Sequence, residues 1–129
     1  MDYLSLTFFF LLIANSSCAQ DYQSKSDLEK EIVGTWHYEI EPKSKITFSD
    51  DGIVKRYFED KLQYTSRYEI TDNCEGEKLQ DRHFFLKEND DKGSSYCLYI
   101  QAINYNNNGF FTLMTISQGK IIVLKRNKS

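Results

Sequence analysis

The chain is poor in the residues that build catalytic and metal centres. Its 129 residues include two histidines, three cysteines, one tryptophan and one proline. Metal sites usually need three or four converging ligands, whereas His37 and His83 lie in separate alternating segments. The sequence also lacks a glycine-rich phosphate loop, a nucleophile motif and the spacing of a Ser/His/Asp triad. We therefore expect no enzyme activity, no catalytic residues, no metal and no cofactor, and we expect both histidines at the surface.

Long apolar runs and clustered basic residues are missing as well. The most apolar segment, residues 6–13, is far shorter than the roughly 20 residues that a bilayer-spanning helix needs. The 16 Lys and Arg residues are scattered, and with 19 Asp and Glu residues they give a formal net charge of −3. Proteins that bind nucleic acids or anionic membrane surfaces usually carry basic clusters. We expect neither partner.

The first 19 residues have the pattern of a targeting segment. A short apolar run followed by small and polar residues is typical of a secretory signal peptide. Cleavage before Gln20 would give a soluble periplasmic or secreted domain. Alternatively, the segment ending at Cys18 resembles a bacterial lipobox, and a lipidated Cys18 would anchor the protein to a membrane of the cell envelope. Both routes predict export, and both stay open.

Either route leaves Cys74 and Cys97 in the mature domain. Two cysteines in an exported domain form a disulfide more often than a metal site. A bond that closes a loop of this length would stabilise the fold by about 3 kcal/mol in the chain-entropy model. The sequence therefore predicts a Cys74–Cys97 disulfide. Two free thiols are the alternative if the chain is not exported.

The remainder of the chain is predominantly β. Residues 20–31 form a polar leader and a short helix, and a domain follows over residues 32–127. Turn residues such as Pro42 and Asp51-Gly52 separate short alternating segments. These segments predict eight strands, at residues 35–40, 45–48, 53–59, 62–71, 83–88, 95–103, 110–117 and 120–126. The spacing fits a β-sandwich and a closed barrel equally well.

Large side chains recur on one face of the predicted strands. An eight-stranded barrel has an interior just wide enough to be filled by side chains or to hold one small ligand, and both outcomes are open. Buried tyrosine hydroxyl groups need partners and could orient the polar group of a ligand. The candidate ligand-lining residues are Tyr38, Phe48, Tyr64, Tyr68, Tyr96 and Leu98.

The triplet Gly34-Thr35-Trp36 after a short helix resembles the G-x-W signature of lipocalins and their smaller bacterial relatives. Across residues 33–126, the chain resembles the small lipocalin-like domain proteins of Bacteroidetes, in which similar pieces occur in the same order. The matching pieces after the triplet are residues 46–52, 68–71, 74–76, 96–100, 113–114 and 119–125.

This resemblance implies an eight-stranded, antiparallel, up-and-down β-barrel with a short N-terminal helix. It also implies an exported, often lipid-anchored protein with a cysteine pair, no enzyme activity and no agreed ligand. In the lipocalin superfamily, a basic residue of the last strand packs over the tryptophan. The resemblance therefore implies that Gly34 and Trp36 plug one end of the barrel, with Lys125 or Arg126 over the indole ring, and we favour Arg126.

Two functions follow as expectations. The first is a non-catalytic binding module for a small apolar or amphipathic ligand, located in the periplasm, in the outer membrane or at the cell surface. The alternative is a structural or interaction protein of the cell envelope, with a filled barrel and no small-molecule ligand. We expect a monomer, with membrane contact only through an anchor at Cys18.

Overall fold

The computed structural model of the chain describes residues 23–74 and 83–126, together with the backbone of residues 77–78. The predicted signal peptide, Cys18 and the start of the leader lie outside the described residues, as does residue 127.

In the described part of the chain, one α-helix precedes the sheet. Helix α1 spans Lys25–Ile32 and begins at a capping box. The Ser24 hydroxyl accepts a hydrogen bond from the Asp27 amide at 3.1 Å, and the Asp27 carboxylate accepts one from the Ser24 amide at 3.2 Å. These two bonds satisfy amides that have no partner within the helix. Leu28 and Ile32 point from α1 into the core, where both are buried.

Among the described residues, ten strands follow the helix. Eight of them form a closed antiparallel barrel in the order β1-β10-β9-β8-β7-β4-β3-β2, and the other two pair with each other. The predicted eight-stranded barrel is therefore confirmed, and the sandwich is excluded. The strands are β1 Gly34–Tyr38, β2 Ser44–Phe48, β3 Ile53–Phe58, β4 Lys61–Thr71, β5 Asn73–Cys74, β6 Glu77–Lys78, β7 Phe84–Asn89, β8 Ser95–Ile103, β9 Phe110–Thr115 and β10 Ile121–Arg126.

Several predicted boundaries were wrong. The segment predicted as one loop, residues 72–82, contains the paired strands β5 and β6. Strand β1 ends at Tyr38 rather than at Ile40, whose side chain lies beyond the sheet and is 90% exposed. Strand β9 ends at Thr115 because the Gly119 amide donates to the Thr115 carbonyl at 3.0 Å, which turns the chain back into β10.

The backbone conformation of the connection between β8 and β9 explains why this connection is rich in asparagine. Asn104, Asn106 and Asn107 have φ angles of 50°, 51° and 60°. This left-handed backbone region is unfavourable for most side chains but is tolerated by asparagine. The Asn104 side chain also accepts a hydrogen bond from the Gly109 amide at 2.8 Å. The backbone conformation and the hydrogen bonding of the turn therefore account for its asparagines.

The half of the barrel next to α1 is packed with side chains. Trp36 and Phe111 meet edge to face with ring centroids 5.3 Å apart, and Phe48 and Tyr68 do so at 5.0 Å. Such pairs add to the stabilisation from apolar burial. The aliphatic members of this core are Leu28, Ile32, Ile46, Val54, Ile70, Leu86, Ile100, Ile103, Leu113 and Leu124.

Candidate ligand site at the open end of the barrel

The two ends of the barrel have different structures. At one end lie α1 and the connections formed by residues 49–52 and 104–109, and we call it the closed end. At the other end lie the connections formed by residues 39–43, 59–60, 90–94 and 116–120. We call it the open end, because clefts lie among the side chains there.

The residues that the lipocalin resemblance singled out lie at the closed end. Trp36 is fully buried, and its indole nitrogen donates to the Ile32 carbonyl at 2.9 Å. The guanidinium of Arg126 lies 4.4 Å from the Trp36 ring centroid and donates to the carbonyl of Glu31. Gly34 adopts a φ of +133°, which few other residues reach, where the chain passes from α1 into β1. The Trp36 indole and the Arg126 guanidinium are thus both hydrogen-bonded to α1, and together they close this end of the barrel.

The open half contains an ion pair that points into the barrel. Inward residues alternate along each strand, so Arg56 follows Val54 on β3 and Glu88 follows Leu86 on β7. The Arg56 guanidinium makes two hydrogen bonds to the two carboxylate oxygens of Glu88, and Nη2 lies 2.5 Å from Oε2. The Glu88 side chain is 2% exposed and the Arg56 side chain 15% exposed. Sequence inspection had singled out neither residue.

Two hydroxyl groups complete the surroundings of Glu88. Ser66 donates to Oε1 at 3.2 Å, and Tyr96 donates to Oε2 at 2.6 Å. A carboxylate offers about four lone-pair sites, and Arg56, Ser66 and Tyr96 together supply four hydrogen bonds. The acceptor capacity of Glu88 is therefore filled by the protein itself.

The contacts within this cluster also change the pKa values of Arg56 and Tyr96. Burial alone lowers the pKa of Arg56, but its hydrogen bond to Glu88 and the charge of Glu88 outweigh burial and raise this pKa above its ordinary value. Burial, and then the charge of Glu88, raise the pKa of Tyr96 well above that of a free phenol. Near neutral pH, Arg56 is a cation and Tyr96 keeps the proton that it donates.

An apolar cleft of about 310 Å³ lies on the Arg56 side of this pair. Its walls come from the ends of β1, β3 and β4, and the Tyr64 ring centroid lies 5.3 Å from the Arg56 guanidinium carbon. The residues that line the apolar cleft are Tyr38, Ile40, Glu41, Ser44, Lys45, Arg56, Tyr57, Phe58, Gln63 and Tyr64.

A second cleft of about 370 Å³ lies on the Glu88 side of the pair. Tyr64 lines both clefts. The second cleft is bordered by the carboxylates of Asp90 and Asp91, and we call it the polar cleft. Its other residues include Ser66, Glu88, Lys92 and Tyr96. The open end thus offers an apolar and an acidic compartment on either side of one ion pair.

The predicted ligand-lining residues fall into two groups. Tyr38, Tyr64 and Tyr96 lie around the Arg56–Glu88 pair, and Tyr64 and Tyr96 are 48% and 45% exposed. In contrast, Phe48 is buried in the filled half of the barrel, and the Tyr68 hydroxyl donates to the Ser49 carbonyl at 2.6 Å. Leu98 packs, partly buried, against the core. Of the six predicted ligand-lining residues, only the three tyrosines of the first group border the two clefts.

The predicted disulfide between Cys74 and Cys97 is present, with Cα atoms 6.5 Å apart. Cys97 lies opposite Lys87 in the β7–β8 ladder, on the outer face of the barrel. The bond therefore holds β5 against this outer face, where Phe85 and Cys74 are both buried. The disulfide fastens an insertion to the outer face of the barrel wall, whereas the Arg56–Glu88 pair lies on the inner face.

The described residues contain no group of three or more His, Cys, Asp or Glu side chains arranged to hold a metal ion. His37 lies on β1, whereas His83 precedes β7 and its Nδ1 atom is 2.8 Å from the Tyr99 hydroxyl. Among the helices of the described part of the chain, none is long and apolar enough to cross a membrane.

Comparisons of the chain with family models, with curated proteins and with solved structures found no match. The geometry of the open end is therefore the basis for assigning a function.

Proposed function

We propose that this chain is an exported, non-catalytic, lipocalin-like barrel that binds one small amphipathic molecule at its open end. The observation that carries the proposal is the position of the apolar cleft directly beside the Arg56–Glu88 pair. Ligand sites in proteins are typically apolar pockets with a few converging polar groups. The apolar cleft has this composition, with mainly aromatic walls, the Arg56 guanidinium at the ion pair and a few polar side chains, among them Glu41 and Lys45.

The dimensions of the clefts set the size of the ligand. The apolar cleft measures about 310 Å³ and the polar cleft about 370 Å³. These volumes lie near the lower end of the range for small-molecule sites, roughly 300–1,000 Å³. Trp36, Phe48 and Phe111 fill the barrel below the ion pair. A ligand would therefore lie in the outer half of the barrel and partly in solvent.

The hydrogen bonds around Glu88 support a non-catalytic role. A general base must be able to accept a proton from a substrate, but the lone pairs of Glu88 are already occupied by Arg56, Ser66 and Tyr96. The raised pKa of Tyr96 disfavours the phenolate that a tyrosine base would need. The cluster is suited to fixing a geometry and presenting N–H donors.

The Cys74–Cys97 bond supports an exported location. Disulfides persist in oxidising compartments and are rare in the cytosol. The closed barrel has no unpaired edge strand on which a second copy could extend the sheet. We accordingly include an extracytoplasmic monomer in the proposal. The formal net charge of −3 supports a protein that does not bind nucleic acids.

An interaction role in the cell envelope is the second candidate, and the rim of the open end favours it. Ile40, Leu62 and Phe58 are 90%, 53% and 41% exposed. Exposed apolar side chains that cluster on a surface often mark contacts with other macromolecules. With the closed half of the barrel already filled, this rim would be the contact surface for a partner.

Native mass spectrometry of the protein purified from its own source separates the two candidates. The binding proposal predicts one small molecule per chain, released on denaturation. It also predicts saturable binding of the uncharged fluorophore 1-aminoanthracene, weakened at least about fivefold by Tyr64→Ala because one wall of the apolar cleft is lost. Tyr105→Ala, at the closed end, is the matched control and should leave binding unchanged. An empty protein that does not bind the fluorophore would favour the interaction role.

A further inference from the structure

We infer that the open-end site selects an uncharged amphipathic ligand whose head group accepts hydrogen bonds, and that Glu88 is the residue that excludes carboxylates. This inference rests on the proposed function, since it requires a small molecule in the apolar cleft. It goes further by assigning the chemical class of the ligand and the residue that determines it.

The first step is that the positive charge of Arg56 is already neutralised. Glu88 occupies the guanidinium in a two-bond arrangement, and such charge-assisted pairs are the strongest hydrogen bonds of side chains. Because Glu88 is part of the same chain, its effective concentration at Arg56 far exceeds that of a free ligand. A ligand carboxylate would have to compete with this tethered carboxylate.

The second step is the cost of displacing Glu88. With 2% of its side chain exposed, Glu88 would keep only Ser66 and Tyr96 as neutral partners if Arg56 turned to a ligand. An uncompensated buried charge is strongly unfavourable. The rim of the two clefts carries charges of both signs, because Glu41, Asp90 and Asp91 border them together with Lys45 and Lys92, and Lys45 is paired with Asp60 at 2.7 Å. The selection against an anionic head group therefore comes from Glu88.

The third step is the supply of donors. The bonds to Glu88 use only part of the N–H groups of Arg56, and Arg56 also lines the apolar cleft. A guanidinium has donors but no acceptor, so the ligand atom that reaches it must be an acceptor. A cationic head group would be repelled by Arg56 and would find no unoccupied oxygen on Glu88. A neutral carbonyl group, as in an amide or an ester, satisfies both conditions.

Octanamide and octanoate provide a direct test because they differ mainly in the charge of the head group. Their affinities are measured by displacement of 1-aminoanthracene at about pH 8, where the carboxylic acid is ionised. The wild-type protein should bind octanamide at least about tenfold more tightly than octanoate, which corresponds to about 1.4 kcal/mol. In Glu88→Gln, the charge of Arg56 is no longer neutralised, and the preference should reverse in favour of octanoate.

Glu69→Gln is the matched control, because Glu69 lies on the outer face of β4, where it pairs with Lys87 at 4.0 Å. It removes the same charge and should keep the wild-type preference. Should Glu88→Gln not fold, the double variant with Arg56→Met and Glu88→Met removes both charges, which buried ion pairs often tolerate. This double variant should lose at least about fivefold in octanamide affinity, because the N–H donors are gone.

The outcomes separate the inference from the function on which it rests. Equal or tighter binding of octanoate by the wild-type protein overturns the inference and leaves the binding function standing. The inference is likewise overturned, with the binding function left standing, if neither octanamide nor octanoate displaces the bound fluorophore. An unchanged octanamide affinity in the double variant leads to the same conclusion. Absence of fluorophore binding and of any co-purified molecule overturns both.

Discussion

At the scale of single residues, the neighbouring cations Arg126 and Lys125 have different roles because they lie on opposite faces of the barrel wall. The Arg126 guanidinium lies 4.4 Å from the Trp36 ring centroid and donates to the Glu31 carbonyl, whereas Lys125 pairs at the surface with Glu39 at 3.6 Å. We expect Arg126→Ala to lower the free energy of unfolding by about 2 kcal/mol, because a stacked cation and a charge-assisted hydrogen bond are lost. Lys125→Ala should change it by less than about 0.5 kcal/mol.

Urea denaturation followed by fluorescence measures both effects. Trp36 is the only tryptophan of the chain, so its emission reports directly on the closed end. Arg126→Lys should behave almost like Arg126→Ala, because an ammonium group lacks the planar fork that stacks and donates at the same time. Equal stabilities of the Arg126→Ala and Lys125→Ala variants would contradict this role of Arg126.

Tyr68 makes the stability of the protein depend on alkaline pH. Burial, supported by the charges of Asp50 and Asp51, raises the pKa of Tyr68 from its ordinary value of 10.0 to about 12. The folded state therefore holds the phenolic proton more tightly than the unfolded state does. The stabilisation is complete below the unfolded pKa and is lost as the pH rises through the folded pKa. We expect the free energy of unfolding to fall as the pH rises from about 10 to about 12.

Tyr68→Phe is the variant that checks this assignment, because phenylalanine keeps the edge-to-face contact with Phe48 and loses the titrating hydroxyl group. Urea midpoints at several pH values should show a shallower alkaline decline in Tyr68→Phe than in the wild-type protein. Part of the decline should persist, because the pKa of Tyr96 is raised as well. An identical decline in both proteins would exclude Tyr68 as its source.

Residue-scale prediction from the sequence succeeded where a side chain followed a local pattern. The alternation in β1 and β2 correctly placed the side chains of Trp36 and Phe48 on the inner face. Arg56 and Glu88 escaped notice because each stands beside a lysine in a mixed segment, and charged residues in such segments usually face water. Their pairing links positions 32 residues apart through the barrel interior, and no local pattern encodes such a contact.

At the scale of elements, the insertion between β4 and β7 was predicted only in part. The cysteine count correctly predicted the disulfide, but β5 and β6 have two residues each and are too short to produce a detectable alternation. The bond rather than a long hydrogen-bonded ladder therefore fastens this insertion. The barrel closes through the ladder between β1 and β10, which does not include the insertion.

Replacing both Cys74 and Cys97 by alanine should consequently destabilise the protein without unfolding it. The bond joins residues 23 positions apart, and closing a loop of that length contributes about 3 kcal/mol in the chain-entropy model. Urea denaturation should show this loss, while far-ultraviolet circular dichroism in the absence of urea stays unchanged. A reductant should lower the wild-type midpoint and leave that of the double variant unchanged. A wild-type midpoint that persists after both thiols become titratable would contradict the prediction.

At the scale of the whole molecule, the sequence left the choice between a sandwich and a barrel open, because both have eight short strands with similar turns. The difference lies in whether the first strand pairs with the last one. Trp36 opposite Arg126 in the β1–β10 ladder makes this closure, and such a contact between distant segments is invisible to periodicity. The resemblance to lipocalin-like domains favoured the barrel, since it drew on the order of pieces along the whole domain.

The cellular location is also a property of the whole molecule, and the mass of the mature chain tests it. Export with cleavage before Gln20 predicts a soluble chain that begins at residue 20. Lipidation predicts a chain that begins at Cys18, carries acyl groups and partitions into detergent with the membrane fraction. In the second case, Cys18→Ser should move the protein to the soluble fraction, and Ser17→Ala is the matched control that should leave it at the membrane. Either mature form agrees with the oxidised Cys74–Cys97 pair. A chain that retains Met1 and carries free thiols at Cys74 and Cys97 would contradict export by any route.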